Sequence, residues 1–185
     1  MQKTKNEELN RISVGDFILA EKTPLVLVLD NVRSLHNVGS AFRTADAFRV
    51  ESICLCGITG KPPDREIRKT ALGATESVAW KYYPTTLEAV ADLKTRAYRI
   101  CSVEQVKEAI QLDSYVPGKG EKLALIFGNE VNGVGQEVID ASDLILEIPQ
   151  QGTKHSLNVS VSVGVVVWEL WKKMKQALDD SSFTG

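Results

Sequence analysis

Three short polar stretches carry the side chains best suited to chemistry, and each follows a run of apolar residues. Asn37-Val38-Gly39-Ser40-Ala41-Phe42-Arg43 offers an amide and a guanidinium. Gly128-Asn129-Glu130 adds an amide and a carboxylate, and Ser156-Leu157-Asn158-Val159-Ser160 adds three small hydrogen-bonding side chains. A guanidinium can clamp a phosphate or polarise an oxygen, while amides and carboxylates hold it in place. Each stretch also has a plain structural reading: a surface arginine on a helix, a Gly-Asn turn and a helix N-cap. Other chemistries lack their signatures. A Gly-x-x-x-x-Gly-Lys-Ser/Thr phosphate loop is absent, and Gly133-x-Gly135 has neither a third glycine nor an immediately preceding strand. The two histidines, His36 and His155, fall in loops beside these stretches.

The elements that position these residues can be read from apolar patterning. Leu25 to Leu29, bounded by Pro24 and Asp30-Asn31, predicts a strand buried on both faces. A helix from about Asn37 follows, with Asn37 as its cap and Ala41, Phe42, Ala45 and Phe48 on its apolar face. Gly39 and Arg43 share the opposite face, so the glycine is expected to clear space above the guanidinium. Further strands are predicted over 52–56, 77–83, 98–103, 123–127 and 143–148, and helices over 85–96 and 104–111. Lys61-Pro62-Pro63 opens a basic loop or helix, and Pro117-Gly118-Lys119-Gly120 reads as a turn. Strands alternating with helices imply an α/β fold, a mostly parallel sheet with helices on both faces. Ligands bind such sheets at the carboxyl ends of the strands, where all three polar stretches fall. The C-terminal segment is ambiguous. Val159-Ser160-Val161-Ser162-Val163 alternates like a strand, but its continuation to Lys175 reads as a buried helix with a basic end.

Composition narrows the function classes. The 185 residues are read as one domain over 1–185, with an N-terminal extension over 1–22 and a tail over 179–185. A net charge of −2 and a pI near 5.8 argue against wholesale electrostatic binding of nucleic acid. A polyanion would have to meet a local patch. Lys61, Arg65, Arg68 and Lys69, together with Arg33 and His36, could supply one, although Asp64 and Glu66 interleave. Cys54, Cys56 and Cys101 are odd in number and set in apolar runs, which suits buried reduced thiols rather than disulfides or zinc. No metal site is expected. The polar N-terminus carries no secretory signal and no apolar run approaches the ~20 residues of a membrane span, so a cytoplasmic protein is expected.

Taken together the stretches become specific. Asn37-x-Gly39-x-x-x-Arg43-Thr44-Ala45-Asp46, Gly128-Asn129-Glu130-x-x-Gly133, and Ile148-Pro149 with Ser156-Leu157-Asn158-Val159-Ser160 resemble the three ordered motifs of the SpoU/TrmH family. These are RNA 2′-O-methyltransferases of the SPOUT superfamily. Lys69-Thr70-Ala71-Leu72-Gly73-Ala74 is similar to the family's segment between the first two motifs. The resemblance spans roughly residues 23–178. It implies a C-terminal deep trefoil knot, with helix from Leu157 onward, and S-adenosylmethionine bound in the knot against Val103, Gly128, Ile148, Ser156 and Leu157. It also implies a homodimer packed through the knot region, in which Trp168 and Trp171 would suit the interface. Arg43, Asn37, Glu130, Ser156 and Asn158 would form the catalytic set, and Arg33, His36, Arg65 and Arg68 would hold RNA, with tRNA favoured over rRNA. The family gives Arg43 the role of base; a guanidinium stays protonated, so clamping a phosphate while polarising the 2′-oxygen fits its chemistry better. One departure stands out: Gln150 follows Ile148-Pro149 where the family has methionine. A catalytically silent RNA-binding protein and an unrelated nucleotide-binding α/β enzyme are the competing classes.

Overall fold

The computed structural model describes residues 3–4, 6–9 and 11–181. The rest of the expected N-terminal extension and residues 182–185 of the expected tail lie outside the described residues. Seven strands, β1 (Thr23–Asp30), β2 (Val50–Cys56), β3 (Ala79–Tyr83), β4 (Arg99–Val103), β5 (Ile110–Gln111), β6 (Leu123–Phe127) and β7 (Leu144–Glu147), form one sheet. Its order is β3-β2-β1-β6-β4-β7-β5, and every pairing is parallel.

The residue alternation explains the layers. Leu25, Leu27 and Leu29 of β1 and Leu123, Leu125 and Phe127 of β6 face one core, with Phe42, Ile67, Val166 and Leu170. Val26, Val28, Ala124 and Ile126 face the other, with Ala89, Val90, Leu93 and Val138. The first core is covered by α1 (Val14–Leu19), α2 (Leu35–Ala47), α3 (Arg65–Ala71), α4 (Ala74–Ser77) and α7 (Val159–Ser181). The second lies under α5 (Thr86–Thr95) and α6 (Gln136–Asp140). Both faces of the central strands are therefore dry, as parallel sheets require.

Register then sets the working edge of the sheet. Leu29 pairs with Phe127, Phe127 with Val103, and Val103 with Leu146, so β1, β6, β4 and β7 end side by side.

Four local expectations are corrected. Ser34, not Asn37, caps α2, its hydroxyl accepting from Asn37 N at 3.3 Å. Gly39 does not clear space for Arg43: a Cβ there would lie 1.9 Å from Thr70 Oγ1 and 2.6 Å from Ile67 O, so it lets α3 approach α2. Residues 104–111 form no helix, because the sheet takes their hydrogen bonds. Glu104 N donates to Leu146 O at 3.1 Å, Leu112 N donates to Glu147 O at 2.8 Å, and β5 pairs with β7 in between. Ser77 ends α4 instead of starting a strand, donating to Ala74 O and to Asp46 Oδ1.

The C-terminal ambiguity resolves as helix. Val163, Val166, Val167 and Leu170 of α7 are fully buried, while Val161, Val165 and Trp168 form an exposed apolar stripe continuing from Leu157. Trp168 and Trp171 pack with Phe48 at centroid distances of 5.8 and 5.4 Å. At the basic end, Lys173 pairs with Glu169 and donates to the carbonyls of Leu112, Asp113 and Tyr115.

All three cysteines are buried, and burial pushes each thiol up to about 12. A thiol reagent at pH 8 should therefore label none of them in the folded chain and all three after denaturation. Rapid labelling of a native thiol, counted by mass, would contradict this packing.

Candidate functional site

The loop after β6 is built around a glycine that nothing larger can replace. A Cβ on Gly128 would lie 2.0 Å from Gly133 C and 2.2 Å from Val134 N, because the chain folds back onto it. Asn129 and Gly133 exchange backbone hydrogen bonds at 3.0 and 2.9 Å, and Asn129 Oδ1 accepts from Val131 N and Asn132 N. Gly133 takes the left-handed conformation that closes the turn, φ +68°.

Carboxylates then fix this loop from three sides. Glu130 accepts from Arg33 N, Ser34 N and Asn37 Nδ2, each at 3.1 Å, tying the loop to the start of α2. Glu104, at the end of β4, accepts from Val134 N at 3.0 Å and Gln105 N at 2.9 Å. Asp30, 4% exposed at the end of β1, accepts from Gly135 N at 3.1 Å and Thr86 Oγ1 at 2.5 Å. Partial burial raises the Glu130 carboxyl, but its own backbone N–H, those of Arg33 and Ser34, and the Asn37 amide outweigh it and hold the group below the ordinary range. With a lowered folded pKa, this anchor is at full strength above the unfolded carboxylate range and is lost as pH falls through the folded value.

The anchored loop forms one wall of a cavity of about 690 Å³ at the carboxyl ends of β6, β4 and β7. Val103, Gly128, Ile148, Ser156 and Leu157 all line it, and so do Glu130 and Asn158. Asn158 also caps α7, its Oδ1 accepting from Ser160 N at 2.9 Å. Among the described residues, the lining holds the carboxylates of Glu104 and Glu130 but no lysine or arginine, only His155. A pocket of this kind suits a ligand with a positive charge and a flat apolar group. Glu104 is the wall residue that sequence reasoning missed: its place directly after Val103 was the signal, obscured by reading 104–111 as a helix.

The arginine stands elsewhere. Arg43 is exposed on α2 and lines a second cavity that shares no lining residue with the first. Asn37 is hydrogen-bonded to Glu130, and among the described residues no hydrogen bond or ion pair joins either side chain to Arg43. Arg33 and His36 lie in the loop and first turn leading into α2, and Arg65 and Arg68 are exposed on the adjacent α3. His36 Nε2 meets Glu66 Oε2 at 2.9 Å and Lys69 Nζ lies 4.0 Å from the same oxygen, so part of this basic surface is neutralised. Among the described residues no cluster suits a metal ion.

Residues 24–168 match the profile of the SpoU rRNA Methylase family. The chain is 30% identical over 89% of its length to the 23S rRNA (guanosine-2′-O-)-methyltransferase RlmB of Haemophilus ducreyi, and spans 66% of that relative. Among solved structures it is similar to the TrmH/SpoU tRNA modifying enzyme of A. aeolicus, with TM-score 0.78, 24% identity, and coverage of 89% of this chain and 83% of that one. It is also similar to a protein described in connection with 2-OH methylation of C/U34 on tRNA, with TM-score 0.73, 25% identity, and coverage of 83% and 99%.

Gly128→Ala should destabilise the fold by about 1–3 kcal/mol, since the clash is with backbone. Gly152→Ala, in open space, should stay within about 0.5 kcal/mol of the parent. Chemical denaturation of the two variants checks the contrast, and equal midpoints would show that the loop is not closed as described.

Proposed function

Because the chain belongs to the SpoU rRNA methylase family, we propose that it transfers a methyl group from S-adenosylmethionine to a ribose 2′-hydroxyl of a structured RNA. The observation that carries this reading is the cavity at the ends of β6, β4 and β7, walled by a closed glycine loop and two carboxylates without a lysine or arginine. S-adenosylmethionine supplies an activated methyl on a cationic sulfonium. Val103, Phe127, Ile148 and Leu157 offer apolar walls for its adenine, and Glu104 and Glu130 favour its positive charge.

The protein's remaining task is alignment, because in-line displacement requires the hydroxyl and the methyl on one axis. Arg43 clamps a phosphate and polarises the 2′-oxygen, and Ser156 and Asn158 stand at the cavity mouth to position the ribose. Since Arg43 lies outside the cofactor cavity of its own chain, it works at the cavity of a second subunit. The exposed stripe of Leu157, Val161, Val165 and Trp168 is the surface on which the two copies meet. A trefoil knot in the segment leading into α7 fits this assembly. Arg33, His36, Arg65 and Arg68 add to the RNA surface, and the cytoplasm is the compartment where such RNA is met.

tRNA is the first substrate to test, given the near-complete coverage of the protein linked to C/U34 of tRNA. 23S rRNA, the substrate in the name of the 30%-identical relative, is the second.

Calorimetry should detect S-adenosylmethionine binding in the presence of chelator. Labelled methyl should then pass to unmodified tRNA or 23S rRNA. Arg43→Ala should remove turnover by at least about 100-fold, the scale of a lost transition-state contact, while leaving cofactor affinity intact. Light scattering should find a dimer at assay concentration. Cofactor binding without methylation of either RNA would instead identify a silent RNA-binding protein, and an active monomer would exclude the shared site.

A further inference from the structure

The second cavity, about 640 Å³, lies between the N-terminal segment, the end of α2 and the turn joining α3 to α4. Three arginines, Arg11, Arg43 and Arg49, line it. Among the described residues none of the three has an ion-pair partner, whereas Arg96 is paired with Glu51 and Asp92, and Arg99 with Glu121. The acidic groups on the lining are Asp46 and Glu76, and Asp46 already accepts from Ser77 Oγ at 2.5 Å. In a chain of net charge −2, three uncommitted guanidiniums around one hollow are an anion site in search of its anion.

The rest of the lining says which anion. Leu72 is 70% exposed, and Ile12 and Val14 are 44% and 45% exposed, so the hollow has an apolar rim. Two of its residues hold left-handed backbone without being glycine, Arg49 at φ 48° and Leu72 at φ 49°. Such conformations persist where surrounding structure enforces them, and they gather at functional positions. The turn at Leu72-Gly73 projects an aliphatic side chain outward that the core does not use. Phosphate-binding forks beside exposed aliphatic surface describe a nucleotide within a chain, not a free inorganic ion.

We infer that this cavity is a nucleotide subsite for the RNA substrate, resting on the methyltransferase reading above. Arg11 and Arg49 hold the phosphates flanking the ribose addressed by Arg43, and Leu72 and Ile12 pack against a base. The N-terminal segment is thereby part of the RNA surface. On α3, Arg65 and Arg68 lead toward the same rim, which ends at Leu72.

The test uses the full chain with S-adenosylmethionine and whichever of unmodified tRNA or 23S rRNA it methylates. Arg11→Gln and Arg49→Asn should each raise the RNA KM roughly tenfold, Asn being chosen because it tolerates the left-handed conformation. Each should also flatten the salt dependence of RNA binding by about 0.7–0.9 in log–log slope. Leu72→Ala should raise KM without changing the slope. Lys119→Ala, which removes an exposed charge that is not part of the cavity lining, should change neither. Cofactor Kd should stay at the parent value in all four, which also verifies folding. Parent-like KM and slope in both arginine variants would overturn the subsite, as would equal effects from Lys119→Ala or parallel losses of cofactor affinity. A parent chain that binds S-adenosylmethionine but methylates neither RNA would overturn the methyltransferase reading and the subsite together; parent turnover with unaffected variants overturns the subsite alone.

Discussion

Backbone amides paired with carboxylates hold this site together. The loop from Gly128 to Gly135 leaves the N–H groups of Val134 and Gly135 to Glu104 and Asp30, while its own Glu130 accepts from the N–H groups of Arg33 and Ser34. Leaving either of the part-buried amides of Val134 and Gly135 unpaired would weaken the fold by about 1 kcal/mol. Each carboxylate comes from a different place: the end of β1, the end of β4 and the loop itself. The strands must therefore be in register before the loop can close, and a one-residue slip would turn the acceptors away from their donors.

The same carboxylates give an acidic protein two opposite surfaces. Among the described residues, the lining of the first cavity holds the carboxylates of Glu104 and Glu130 and one imidazole, with no lysine or arginine. Toward the other end of α2, Arg11, Arg43 and Arg49 gather without ion-pair partners among the described residues. Net charge averages these regions to −2 and conceals both. Separation of a carboxylate-lined cavity from an arginine-lined one is thus built into one chain, and Gly39 lets α3 lie close to α2 with Arg65 and Arg68 exposed.

Much of this was legible in the residues. Leu25 to Leu29 and Leu123 to Phe127 declared themselves as central strands because burial on both faces leaves no polar position to blur the pattern. The five residues Val103, Gly128, Ile148, Ser156 and Leu157, named through the resemblance to the SpoU/TrmH family, all line one cavity. Other features depended on partners distant in sequence. Glu104 was hidden because its acceptor role needs Val134, and Asn37 looked like a cap until Glu130 claimed its side chain. Gly39 looked like room for an arginine, but its neighbour is the backbone of α3. The alternation from Val159 to Val163 left strand and helix open because serine is small enough to sit on a helix flank without penalty, and the family resemblance favoured the helix that forms. Arg11 and Arg49 carried no signal at all, since a cavity wall is a property of three segments at once.

The pairing of β1 with β6 also fixes an order of events in time. Leu25 meets Leu123, about a hundred residues later in the chain, while β1, β2 and β3 pair among near neighbours. Closing so long a loop is the slow step that non-local topology imposes. On the ribosome, the segments bearing Arg11, Arg43, Arg49 and Leu72 emerge and can pack while β6 is still unmade. The first cavity arises only when the second half arrives, so a nascent or truncated chain would present its arginines before that cavity existed.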